Sequence, residues 1–107
     1  MKKLIIALSL TLFLFSCSST PESVWIDVRT IEEHAENGIN EDYNIPLAQI
    51  QADGTLAMFD KDDEINLYCR SGARAGQAKE VLEAAGYTNV INHGGVDDVR
   101  ALRSSIE

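Results

Sequence analysis

The sequence predicts an α/β domain whose small parallel sheet is flanked by helices. After residue 23, short apolar runs alternate with segments of helical periodicity, which is the order of βαβ units. About 84 residues run from Val24 to Glu107, enough for one modest core and too few for a second domain. We therefore expect a single domain over residues 24–107.

The first strand and helix are marked by their ends. Val24–Val28 is an apolar run of strand length. Thr30 is suited to cap the following helix, and Glu33, three residues later, completes a capping box. Asn37-Gly38 is a stop signal. The pattern predicts a short helix between the cap and Asn37.

The middle of the chain is less regular. Tyr43–Leu47 is predicted to be a short strand or extended segment, because Pro46 excludes a central ladder position. Residues 48–59 are ambiguous and fit a helical turn followed by a loop. Ile65–Cys69 is the clearest strand of the sequence.

The last third of the chain alternates again. Arg74–Ala85 carries its apolar residues on one face and ends at Gly86, which predicts a helix. Asn89–Asn92 is predicted to be a strand and Val96–Ser105 a closing helix.

Cys69 is the candidate nucleophile. It ends a predicted strand and precedes a predicted helix, where loop N–H groups and the helix dipole stabilise negative charge. Arg70 and Arg74 add full positive charges to the same loop. The alternative is a small buried residue that ends a core strand, but such a residue has no need of a cationic loop. We predict a thiol of lowered pKa.

The N-terminal segment predicts export. Lys2 and Lys3 precede an apolar run of twelve residues, Leu4–Phe15, which is short for a membrane span and suits a signal peptide over residues 1–16. Leu14–Cys17 resembles the lipobox of bacterial lipoproteins, in which the cysteine is lipidated. Residues 17–23 would then be a lipid-anchored tether. Ordinary cleavage near Cys17 and retention of the segment as an anchor are the alternatives.

The net charge and the cysteine content limit the classes of molecule that the chain is expected to bind. The net charge of the whole chain is −8, and it becomes −10 once Lys2 and Lys3 are removed with the signal peptide. Such a surface repels nucleic acid and anionic headgroups. With Cys17 acylated, Cys69 is predicted to be a free thiol in an oxidising compartment.

The Cys69 loop carries a family resemblance. A strand, a Cys-x-x-Gly-x-Arg loop and a helix resemble the active site of rhodanese-type sulfurtransferases. Trp25–Arg29 with Glu33 is similar to the opening strand and helix of that family, and Asn44–Leu47 to its second strand. Gly94-Gly95 matches its closing turn. The chain most resembles the small, exported, single-domain rhodaneses of the phage-shock type.

The resemblance implies a reaction and a site. Cys69 would accept a sulfane sulfur from thiosulfate or a similar small anionic donor, form a persulfide, and pass the sulfur to cyanide or a thiol. The N–H groups of residues 70–74 would ring the sulfur, which makes Arg70, Ser71, Gly72, Ala73 and Arg74 the substrate-binding residues. No metal and no organic cofactor is implied. We expect a periplasmic monomer, lipid-anchored to the outer membrane through Cys17.

Two other classes of function remain as alternatives. A cysteine phosphatase or arsenate reductase uses a similar loop but needs an arginine one residue later, where this chain has Ala75. A non-catalytic rhodanese-like module that binds a partner or senses oxidants is the second alternative. Such modules often lack the cysteine, so Cys69 disfavours this class without excluding it.

The remaining polar residues receive structural interpretations. His93 is expected in a loop at the Cys69 end of the sheet, and His34 on a solvated helix surface. Asp27 and Arg29 are interpreted as structural, with Arg29 paired to Glu33 at helical spacing. Trp25, Tyr68 and Phe59 are expected in the core.

Overall fold

The computed structural model describes residues 20–106, in which four strands alternate with four helices. The elements are β1 (Ser23–Asp27), α1 (Ile31–Asn37), β2 (Tyr43–Asn44), α2 (Leu47–Asp53), β3 (Glu64–Cys69), α3 (Ala73–Ala84), β4 (Val90–Gly95) and α4 (Val96–Ile106). The predicted signal peptide and Cys17 lie outside the described residues. Within residues 20–106, no helix has the length and apolarity needed to cross a membrane.

The four strands form one parallel sheet in the order β2-β1-β3-β4. This arrangement confirms the predicted fold class. Because the strands are parallel, their carboxyl ends share one edge of the sheet. Cys69 ends β3, one of the two central strands, and so lies in the middle of that edge.

Alternating side chains of each strand face opposite layers. The larger core lies on one face, where strand residues such as Ile26, Leu67 and Cys69 pack with Ile50 of α2 and Leu82 of α3. The other face carries a smaller core of Tyr68 with Val96 and Val99 of α4, which Trp25 and Ile39 flank. Helix α1 lies beside α4, since Arg100 donates to the carbonyl oxygens of Asn37 and Gly38.

The predicted helix start at Thr30 is confirmed. Thr30 Oγ1 accepts a hydrogen bond from Glu33 N at 3.1 Å, and Thr30 N donates to Glu33 Oε1 at 3.0 Å. The ambiguous segment after Pro46 contains α2, and Gly54 ends that helix with a φ of 71°. This left-handed conformation explains why glycine stands there.

Strand β4 is longer than the predicted Asn89–Asn92. It continues through His93 and the two glycines, because Leu67 pairs with Asn92 and Cys69 with Gly95. Between these two pairs β4 holds one more residue than β3, so the ladder contains a bulge. Gly94 has a φ of 88° at this point. The glycines that suggest a turn in the sequence therefore form a bulge inside the strand.

Candidate active site

The thiol of Cys69 is buried at the carboxyl end of β3, with 1% of the residue exposed. Three residues, Arg70 to Gly72, connect it to the first residue of α3, Ala73. Gly72 has a φ of 105°, and its N–H donates to Cys69 Sγ over 2.9 Å. The loop therefore turns back over the sulfur and points a donor at it.

Backbone N–H groups decide the protonation of this thiol. Burial raises the pKa of Cys69, but hydrogen bonds from the N–H groups of Ala75, Gly72, Ser71 and Arg74 outweigh it, so the pKa lies below its ordinary value. Several of these donors belong to the first turn of α3, whose N–H groups have no partner within the helix. Residues 70–74 are predicted to supply these N–H groups; Ser71, Gly72 and Arg74 of that range lower the pKa, and Ala75, one residue beyond it, does so as well.

Arg74 is paired with Glu33 of α1. Its Nη1 lies 2.7 Å from Glu33 Oε1 and its Nη2 lies 3.1 Å from Oε2. The hydrogen bond from Arg74 lowers the pKa of Glu33 to about 2. The predicted pair of Arg29 and Glu33 is therefore wrong, because the first turn of α1 faces α3 at this position.

Arg29 belongs to a buried cluster around Asp27. Its Nη2 and Nε donate to the Asp27 carboxylate, and its Nη1 donates to Asn37 Oδ1 at 2.7 Å. His34 Nδ1 lies 2.9 Å from Asp27 Oδ2, so His34 is not the solvated residue that the sequence predicts. Burial raises the pKa of Asp27, but its hydrogen bonds from Arg29 and His34 outweigh this and hold it low. This cluster fastens α1 to the end of β1.

His93 does not lie in a loop and does not face Cys69, which corrects the sequence prediction. It is a β4 residue on the opposite face of the sheet, where its ring stacks on Trp25 at 4.6 Å between centroids. Its Nε2 lies 2.7 Å from Asn66 Oδ1. Burial lowers the pKa of His93. The orientation follows from the continuation of β4 through His93, since side chains alternate between the two faces of a strand.

The other predicted site residues are distributed around the sulfur. Arg70, Ser71 and Ala73 are exposed, while Gly72 and Arg74 are half-buried. The Arg70 guanidinium makes no hydrogen bond or ion pair with the residues that the structure describes. Of the two loop cations, Arg70 is therefore the one that an anion can approach without displacing a carboxylate.

Two residues of β4 touch the loop and were missed from the sequence. Asn92 donates through Nδ2 to the carbonyl oxygen of Gly72 at 2.9 Å. Gly95 lies so close to the carbonyl oxygen of Arg70 that a Cβ there would overlap it. A sequence signal for both residues exists: β4 follows the Cys69 helix, and its carboxyl end carries a polar residue and a glycine.

Comparison with known proteins shows the family to which this chain belongs. The family model of the rhodanese-like domain matches residues 17–102. The chain belongs to the rhodanese-like domain family. In Escherichia coli, the protein named thiosulfate sulfurtransferase PspE is 39% identical to it over 98 residues, which cover 92% of this chain and 91% of PspE.

Solved structures give the same result. A rhodanese with anions from E. coli is 40% identical, with a TM-score of 0.60 over 71% of this chain and 89% of that one. The human single domain sulfurtransferase TSTD1 is 26% identical, with a TM-score of 0.60 over 70% of this chain and 77% of TSTD1. These likenesses confirm the rhodanese resemblance and the prediction that the chain is a sulfurtransferase.

Proposed function

We propose that this rhodanese-like domain moves a sulfane sulfur from thiosulfate, or a similar donor, to cyanide or a thiol through a persulfide on Cys69. The observation that carries the proposal is a buried sulfur at the start of α3 that accepts a hydrogen bond from Gly72 N at 2.9 Å, with the N–H groups of the loop lowering its pKa. That arrangement favours the thiolate, which is the nucleophilic form of cysteine. It also suits a terminal persulfide sulfur, which is itself an anion.

The proposed reaction has two half-reactions. The Cys69 thiolate attacks the outer sulfur of thiosulfate, a new S–S bond forms, and the S–S bond of the donor breaks as sulfite leaves with the electron pair. Cyanide then attacks the outer sulfur of the persulfide, which gives thiocyanate and restores the Cys69 thiolate. A thiolate acceptor takes the sulfur in the same way and becomes a persulfide. Such a ping-pong scheme is typical of an activated nucleophile.

Arg70 is the proposed contact for the dianionic donor, since its side chain is exposed at the loop and unpaired among residues 20–106. Arg74 contributes its backbone N–H to the sulfur, while its guanidinium is held by Glu33. Ser71, Gly72 and Ala73 complete the substrate-binding loop.

Mass spectrometry tests the proposal directly. After incubation with thiosulfate, the tryptic peptide of residues 62–70 should gain the mass of one sulfur atom, and cyanide should reverse the gain. Cys69→Ser is the matched control and should show neither the added sulfur nor thiocyanate production. Substantial thiocyanate production by Cys69→Ser would contradict the mechanism.

The same experiment separates the alternatives. An arsenate reductase or phosphatase would leave thiosulfate unused, and it would need an arginine where Ala75 stands. A module that only binds a partner or senses oxidants would form no persulfide that cyanide can discharge.

The proposed location is the periplasm, with the chain anchored to the outer membrane by acyl groups on Cys17. Support comes from the sequence of residues 1–17: two lysines, a twelve-residue apolar run and a lipobox-like ending. Residues 18–22 then serve as a polar tether to β1, since Ser23, predicted as the last tether residue, is the first residue of that strand.

A further inference from the structure

The side chain of Asn92 connects β4 to the loop that covers Cys69. Its Nδ2 donates to the carbonyl oxygen of Gly72 at 2.9 Å, and its Oδ1 accepts from Gly94 N at 2.9 Å. An N–H can only donate and a carbonyl can only accept, so these two partners fix which way the amide points. Asn92 therefore forms a two-ended bridge rather than a single surface hydrogen bond.

Gly72 is the loop residue most dependent on outside support. It has a φ of 105° and caps α3 without a side-chain hydrogen bond. Its N–H donates to Cys69 Sγ, while its carbonyl oxygen accepts from Gly76 N and from Asn92 Nδ2. Among the described residues, the Asn92 amide is therefore the side chain, besides the Cys69 thiol itself, that hydrogen-bonds to Gly72.

The glycines of the loop and of α3 leave room for this bridge. A Cβ at Gly72 would lie 3.2 Å from the Cα of Gly94, and a Cβ at Gly76 would lie 3.5 Å from Asn92 Nδ2. Asn92 is opposite Leu67 in the ladder, two residues before Cys69, so it stands on the same face of the sheet as the thiol. The amide thereby reaches the start of α3 directly.

We propose that Asn92 is a positioning residue for Cys69, which holds Gly72 so that the loop N–H groups converge on the sulfur. This role rests on the proposed function, because N–H groups directed at the Cys69 sulfur are useful when that sulfur has to be an anion during the reaction. Without the bridge, the peptide groups of the loop could rotate, and each N–H would spend less time directed at the thiolate.

The test replaces Asn92 by Ala, and by Leu to keep the volume. The pKa of Cys69 is read from the ultraviolet absorbance of the thiolate during a pH titration, as a difference from the same variant carrying Cys69→Ser. Subtraction removes Cys17 and the tyrosines. Charged groups at the loop are Arg70, Arg74 with its partner Glu33, and Asp98, which accepts from Gly95 N. None of them is changed in either variant.

We expect the Cys69 pKa to rise by roughly half a unit to one unit in both variants, so that the thiolate fraction below that pKa falls about three- to tenfold. Asn89→Ala, an exposed asparagine just before β4, is the matched control and should leave the pKa unchanged. Circular dichroism checks that each variant is folded. If Asn92→Ala does not fold, Asn92→Leu, which keeps the volume and adds no charge, supplies the measurement.

A folded Asn92 variant with a wild-type Cys69 pKa would overturn the inference, even if its activity were low. The titration does not depend on sulfur transfer. If the pKa rises as expected while the wild-type protein forms no persulfide, the proposed function fails and the positioning role of Asn92 stands.

Discussion

Glu33 binds both ends of the Arg74 guanidinium, although 41 residues separate the two in the chain. Glu33 also closes the capping box of α1 through Thr30. The Glu33 carboxylate therefore connects the first turn of α1 to the first turn of α3. Through this ion pair, α1 contacts the loop that covers Cys69. The remaining loop cation, Arg70, carries no such partner among residues 20–106.

This pair should contribute to stability in a defined pH range. The pKa of Glu33 falls from its ordinary 4.5 to about 2 on folding, so its contribution is present above about pH 4.5 and is lost as the pH falls towards 2. Glu33→Gln should lower the free energy of unfolding by about 0.5–1 kcal/mol at neutral pH, and less in acid. Urea unfolding at a series of pH values measures this. Glu36→Gln on the same helix is the control, and equal pH dependence in all three proteins would contradict the prediction.

The two loop arginines should differ in their effect on the donor. Arg70→Ala should raise the Michaelis constant for thiosulfate about three- to tenfold and weaken its salt dependence, because an exposed charge-assisted contact is lost. Arg74→Ala should chiefly lower stability, since it leaves Glu33 without its partner. Steady-state kinetics at two salt concentrations measure the Michaelis constants and urea unfolding measures the stability, with Lys79→Ala as the control for charge. A larger rise for Arg74→Ala than for Arg70→Ala would assign the donor contact to Arg74.

Gly95 should tolerate no side chain. A Cβ at this position overlaps the carbonyl oxygen of Arg70, which belongs to the backbone and cannot move aside as the end of a flexible side chain could. Gly95→Ala should displace the loop, lower the free energy of unfolding by about 1–3 kcal/mol, and reduce sulfur transfer. Gly54→Ala is the comparison: its Cβ meets nothing within 4 Å, although its positive φ strains the chain. Both variants should lose stability, but Gly54→Ala should keep its turnover when folded. Wild-type turnover in Gly95→Ala would show that the loop can move without consequence.

The location is tested by fractionation. A chain held by several acyl groups binds membranes far more strongly than one with a single acyl chain, so the wild-type protein should stay with membranes after a high-salt wash. Cys17→Ala should accumulate as a precursor or appear as a soluble exported domain. Soluble wild-type protein with an unmodified Cys17 would rule out the lipid anchor.

Local patterns predicted most of the fold and the centre of the site. The capping box at Thr30 and the strand that ends at Cys69 depend on neighbouring residues, and both stand in the structure as predicted. The partners of Glu33 and Arg74 depend on how distant helices meet, so spacing along one helix led to the wrong pair. The faces of Asn92 and His93 depend on β4 continuing past Asn92, because side chains alternate along a strand. A pair of glycines in a sequence is compatible with a bulge and with a turn, so the pattern alone does not distinguish them.

The direction of β1 determines how the domain would be presented if the chain carries the lipid anchor proposed above. The chain enters the sheet at Ser23 and β1 ends four residues later, beside the end of β3 that carries Cys69. At about 3.3 Å per residue, entry point and active-site edge are separated by roughly 13 Å of strand. If Cys17 is lipidated as proposed, the chain would enter the domain from the lipid at the edge of the sheet opposite the thiol. We expect such a protein to exchange sulfur with dissolved partners rather than with molecules in the membrane.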